Sequence, residues 1–91
     1  MKITWQPPQV TPGETRSALP SSAFAFPNER KEPLTDGAHV RSAIARFRQV
    51  AGVPDAERAQ AFANLKAAAE YYGVPLHAHG WRDLMDEHLI V

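Results

Sequence analysis

Apolar residues recur at helical spacing over two stretches of the chain. Val40, Ala43, Ile44 and Phe47 follow one another at i, i+3, i+4 and i+7, with Val50 or Ala51 closing the stripe. This is the signature of an amphipathic helix with one buried face. Thr35 or Asp36 is placed to cap it, and Gly52 to stop it. The second stretch runs Phe62, Leu65, Ala69, Tyr72, with seven alanines between Ala56 and Ala69. Alanine favours the helix and permits close approach of a neighbouring element. Pro54 suits its first turn, and Gly73-Val74-Pro75 is a strong stop. The pattern predicts helices over 36–51 and 54–73. Trp81, Leu84, Met85 and His88 or Leu89 have helical spacing too, which predicts a short third helix within Gly80–His88.

The first 35 residues read differently. They hold six of the eight prolines, which fix φ, remove backbone donors and push their predecessors towards extended conformations. Ile3 and Trp5 alternate with polar neighbours, so Lys2–Gln6 reads as one short strand. Phe24 and Phe26 alternate around Ala25 and are placed to set one edge into an apolar groove. An arm with Trp5, Leu19, Phe24 and Phe26 is too aromatic for a disordered linker, so it is expected to fold back on the helices or to lie on another subunit. The architecture expected is all-α: an antiparallel helical hairpin and a short third helix. A proline-rich extended arm (1–23) precedes a helical domain (24–91).

Composition bounds the function. With 91 residues the chain holds one small core, whose stability is marginal without a partner. It has no cysteine, which excludes disulfides and thiolate metal sites. Lys plus Arg equals Asp plus Glu at ten each, which argues against a strong non-specific polyanion binder. No apolar run approaches the ~20 residues that span a bilayer, and the N-terminus lacks the apolar core of a signal peptide. A cytoplasmic protein is expected, and a virion component assembled there would look the same.

Arg30, Lys31, Arg41, Arg46 and Arg48 form the densest basic region and are the candidate contacts to a polyanion. A two-helix layout joined by a glycine-containing turn loosely matches a helix-turn-helix. Glu29, Glu32 and Asp36 interleave with these cations, however, and arginine stems commonly cover the flanks of an apolar stripe. Solvated flanks and internal ion pairs are therefore the preferred reading. His77 and His79 are the candidate metal ligands, with Asp83, Asp86, Glu87 and His88 near in sequence. An H-x-H pair needs further ligands for zinc, and ordinary surface histidines are preferred. Asp36, His39 and Ser42 sit on adjacent helix turns, which suits a cap better than a nucleophile and its base. No G-x-S-x-G, phosphate loop or G-x-G-x-x-G is present, and neither an enzyme nor a cofactor is expected.

Among the aromatics, Phe47, Phe62, Tyr72 and Trp81 read as core. Tyr71 and Tyr72 point about 100° apart on a helix, so one of them is left to solvent. Trp5, Phe24, Phe26 and Tyr71 are the candidate interface residues.

Phe26-Pro27, Arg30-Lys31, Pro33-Leu34, Asp36, His39-Val40-Arg41, Ala43 through Phe47 and Gln49 together form a signature, FAFP..RK.PL.D..HVR.AIARF.Q. With Glu57-Arg58, Leu65 through Ala68 and Tyr72-Gly73-Val74 downstream, it resembles a small uncharacterised domain. That domain occurs in bacterial, often actinobacterial, and phage proteins, including tail regions of phage head-morphogenesis proteins. The resemblance covers about 19–75 and leaves 1–18 and the last residues outside. It implies a structural or adaptor module of a phage particle or a related assembly, docking on a protein partner or on itself. A small nucleic-acid-binding protein is the alternative.

Overall fold

The computed structural model describes residues 3–8 and 19–85. Among the described residues, three helices pack with a two-stranded antiparallel sheet, so the fold is mixed α/β and not all-α. The strands are β1 (Phe24–Phe26) and β2 (Lys31–Pro33), paired Phe24 with Pro33 and Phe26 with Lys31. The helices are α1 (Gly37–Arg46), α2 (Asp55–Tyr72) and α3 (Trp81–Met85). Single 3-10 turns precede β1 at Ser21–Ala23 and follow α1 at Phe47–Gln49.

The hairpin escapes a pattern reading for physical reasons. All three β1 residues are buried, so its Phe-Ala-Phe run shows no inside–outside alternation. β2 is Lys-Glu-Pro and offers no apolar signal. Its backbone also departs from a regular strand: Arg30 and Glu32 both have positive φ, 52° and 58°. Such left-handed residues without glycine have no composition signature. The strand expected over Lys2–Gln6 does not form among its described residues, 3–6, which have no regular structure and no sheet partner.

The helices follow the stripe closely. Asp36 is the α1 cap, its carboxylate accepting from the His39 backbone at 2.8 Å. α1 ends at Arg46, and the turn expected to carry it to 51 is 3-10 over Phe47–Gln49. α2 ends where Gly73 takes φ 69°, and Val74 N–H donates back to the Ala69 carbonyl at 2.8 Å. That left-handed cap satisfies carbonyls which the last helical turn leaves open. α3 ends the described region, and the tail expected to extend it to His88 lies outside the described residues.

One core joins β1, α1, α2 and α3. Phe26 of β1, Leu34, Val40 and Phe47 of the α1 face, and Leu65 of α2 are almost fully buried. The Phe26 and Phe47 rings lie 5.4 Å apart between centroids. Trp5 belongs to the same core although it lies on the arm. A smaller satellite holds Leu19, Ala23 and Phe24, and the Arg30 guanidinium lies 4.7 Å over the Phe24 ring.

Candidate functional site

The arm docks in a groove built from α2, β1 and Leu34. Ala61, Asn64 and Ala68 recur at i, i+3 and i+7 on α2 and are fully buried. Small side chains there let other backbones come close, and Asn64 supplies the polar groups that those backbones need. Its Oδ1 accepts from Thr4 N–H at 2.8 Å and from Trp5 N–H at 2.9 Å. Its Nδ2 donates to the Ala25 carbonyl of β1 at 3.0 Å and to the Thr4 hydroxyl at 2.9 Å. One buried carboxamide therefore satisfies donors of the arm and an acceptor of the sheet.

Trp5 fills the end of this groove. Its indole N–H donates to the Leu34 carbonyl at 3.2 Å, which settles the polar end of a ring otherwise buried in apolar surroundings. Its ring meets Tyr71 and Tyr72 edge-on, at 5.8 and 5.9 Å between centroids. Gln6 N–H donates to the Ser22 carbonyl at 3.1 Å and fixes the arm where it leaves the groove.

Tyr71 and Ile3 are the large hydrophobic side chains that remain exposed among the described residues, at 62% and 52%. Tyr71 is braced from below, edge-on to Tyr72 at 4.9 Å and to Trp5. Tyr72 turns inward, its hydroxyl donating to the Thr35 carbonyl at 3.0 Å, and burial pushes its phenol above the ordinary value.

The other sequence-selected interface residues lie elsewhere. Phe24 and Phe26 are 0% and 1% exposed and Trp5 is 6% exposed, all within this chain's own cores. Their side chains are not open surface, and Tyr71 alone of the four presents itself to solvent.

The five cations do not form one patch. Arg30 turns back on its own chain, donating to the Leu19 carbonyl at 2.7 Å and stacking on Phe24. Arg46 and Lys31 line an open cleft of about 820 Å³ between β2 and α1. Arg41 lines a separate groove of about 440 Å³ between α1 and residues 75–84. Arg48 is half-buried in the 3-10 turn. Arg41 and Arg46 thus serve different walls of the domain.

The β2–α1 cleft contains Asp36, His39 and Ser42. The His39 Nδ1 lies 2.8 Å from the carboxylate of Asp36 that also accepts the His39 N–H. These contacts, the backbone one foremost and the ring second, hold the Asp36 carboxyl below its ordinary value. The arrangement is a helix cap reinforced by a side chain. His77 and His79 border the second groove and are exposed, with His79 N–H donating to Asp83 Oδ2 at 2.8 Å ahead of α3. Among the described residues no three His, Asp or Glu side chains gather to hold a metal ion.

One acidic contact has no trace in the pattern. Asn28, in the hairpin turn, donates to Glu57 of α2 at 2.9 Å. The carboxyl of its neighbour Glu29 meets that of Glu57, and an oxygen of each is shielded from solvent. The two carboxyls shift in opposite senses: the contact with Glu57 raises Glu29 above its ordinary value, while the contacts with Glu29 and Asn28 lower Glu57 below its own. Asn64 is likewise absent from the sequence-selected residues. Its signal is a polar residue within a stripe of small residues, Ala61-x-x-Asn64-x-x-x-Ala68.

The model of a family of unknown function, DUF6582, matches residues 6–79, and the chain belongs to that family. The match begins at Gln6 in the arm, earlier than residue 19, where the resemblance read from the sequence begins. It ends at His79, just before α3. No curated protein and no solved structure matches the chain. No helix among the described residues is long and apolar enough to cross a membrane.

Proposed function

We propose that the domain is a non-catalytic structural or adaptor module that docks a protein partner on the face where the arm crosses α2. The observation that carries this reading is Tyr71, exposed yet braced edge-on by Trp5 and Tyr72. A solvent-facing aromatic held in one orientation loses little entropy when a partner covers it, and tyrosine is enriched among the residues that dominate binding. The matching surface is an apolar pocket with a hydrogen-bond acceptor for the phenol. The phage-particle setting is carried by the signature, and detection of the protein in purified virions from its native host tests it.

The alternative, nucleic-acid binding through the α1 arginines, loses ground on placement. Arg41 and Arg46 line different grooves, and Arg30 is engaged with Leu19 and Phe24. A stripe that tracks phosphates needs its cations on one face.

The docking face is tested with a photo-crosslinking amino acid at Tyr71 and, as control, at exposed Lys66 on α2, in the native host. A discrete protein adduct from position 71 and none from 66 is expected. Equal labelling from both positions, or none from 71, contradicts the reading.

A further inference from the structure

The arm sits in its groove as a peptide ligand sits in a binding site. Its backbone N–H groups at Thr4 and Trp5 are read by Asn64, one aromatic anchor is buried, and that anchor's polar end meets the Leu34 carbonyl. The receptor side of these contacts comes from α2, β1 and Leu34. None of those groups depends on which chain supplies the arm.

The covalent connection between arm and domain is residues 9–18. Ten residues reach at most about 35 Å when extended. The molecule measures 37 × 26 × 22 Å, so this reach exceeds its two shorter dimensions. We infer that the groove also accepts the arm of a second copy, so that neighbouring copies are joined by exchanged N-terminal arms.

Exchange preserves these contacts, because the trans arm finds the same Asn64, the same Leu34 carbonyl and the same Trp5 pocket. Swapping an identical element between protomers is a low-cost route to association. What opposes it is the effective concentration of the tethered arm, which is in the mM range for a short tether. Exchange should therefore rise as protein approaches about 1 mM. It should dominate wherever an assembly holds copies side by side. The inference uses the buried side of the arm, whereas the docking face uses its exposed side. Either can fail without the other.

The cysteine-free chain makes the test clean. Thr4 Oγ1 lies 3.5 Å from the Gln60 amide, so a thiol at neighbouring Ile3 and one at Gln60 fall within reach of a short bis-maleimide when the arm is docked. Full-length Ile3→Cys and Gln60→Cys chains of different mass are mixed at rising concentration and crosslinked. The double variant serves as the intrachain control. A hybrid that joins position 3 of one chain to position 60 of the other is expected, growing towards about 1 mM. Trp5→Ala in the chain that carries Ile3→Cys should abolish it, because that arm has lost its anchor. Trp5→Ala in the chain that carries Gln60→Cys should increase it, because that groove has lost its resident arm. This asymmetry separates exchange from ordinary side-by-side association. Thr4→Pro, which removes one N–H held by Asn64, replaces Trp5→Ala if circular dichroism shows the latter unfolded. No hybrid at about 1 mM while the double variant crosslinks internally, or a hybrid indifferent to which chain carries the arm substitution, overturns the inference.

Discussion

The carboxamide oxygen of Asn64 lies 2.9 Å from the backbone nitrogen of Trp5, 59 positions away in sequence. With Thr4 N–H on the same oxygen and the Ala25 carbonyl on the amide nitrogen, this side chain joins arm, sheet and α2. Asn64→Ala leaves the Trp5 N–H and the Ala25 carbonyl buried without it, at about 1–3 kcal/mol for each orphaned group, while exposed Thr4 can turn to water. A loss of about 3–5 kcal/mol in urea unfolding is expected, a large share of a small domain's stability. Asn64→Asp keeps the acceptor but sets a carboxylate against the Ala25 carbonyl. It should be destabilised at pH 7 and regain part of its stability in acid, as protonation restores a donor.

Asp36 carries the start of α1. Asp36→Ala should cost about 0.5–2 kcal/mol and Asp36→Ser much less, because serine retains an oxygen for the His39 N–H. The Asp36 carboxyl is depressed below its ordinary 3.8. A depressed carboxyl stabilises the fold above its unfolded value, and that contribution disappears as pH falls through the folded one. The difference between wild type and Asp36→Ser should accordingly shrink below about pH 4 in thermal melts.

Glu29 behaves in the opposite sense. Its carboxyl is raised above 4.5, so its own contribution is present in acid and is lost as pH rises through the raised value, while the lowered Glu57 carboxyl contributes in the opposite sense. Glu29→Gln supplies an N–H donor that does not titrate. Its melting temperature should exceed that of wild type at pH 7 and converge with it near pH 4. A variant below wild type at pH 7 would show that the two carboxyls do not meet.

Arg30, in the hairpin turn, and Glu32, within β2, both occupy left-handed backbone, at φ 52° and 58°. Glu32→Val, branched at Cβ, should cost about 1–2 kcal/mol. Arg30→Gly relieves φ +52° but removes the charged donor to the Leu19 carbonyl and the cover over Phe24. It should lose about 1–3 kcal/mol net in chemical denaturation.

The helices were legible because their signals are local. The Val40–Phe47 stripe, the Asp36 cap and Gly73-Val74-Pro75 each lie within a few residues of what they determine. The β1–β2 hairpin was not, since Phe-Ala-Phe is buried throughout and Lys-Glu-Pro is stabilised by pairing and not by pattern. Tyr71 was legible because two adjacent helical residues cannot both face inward. Trp5 reads as an anchor in the sequence, but its pocket is set by Asn64 and Leu34, which lie 59 and 29 positions away. Contacts at that separation leave no periodicity to find.

The central claim is that the arm is a core element held by Asn64, and amide hydrogen exchange at Trp5 tests it most directly. Trp5 N–H should be protected to a degree comparable with Leu65 in the middle of α2, and the protection should fall sharply in a folded Asn64 variant. Exchange of Trp5 N–H at the rate of an unstructured peptide, with Leu65 still protected, would contradict the account.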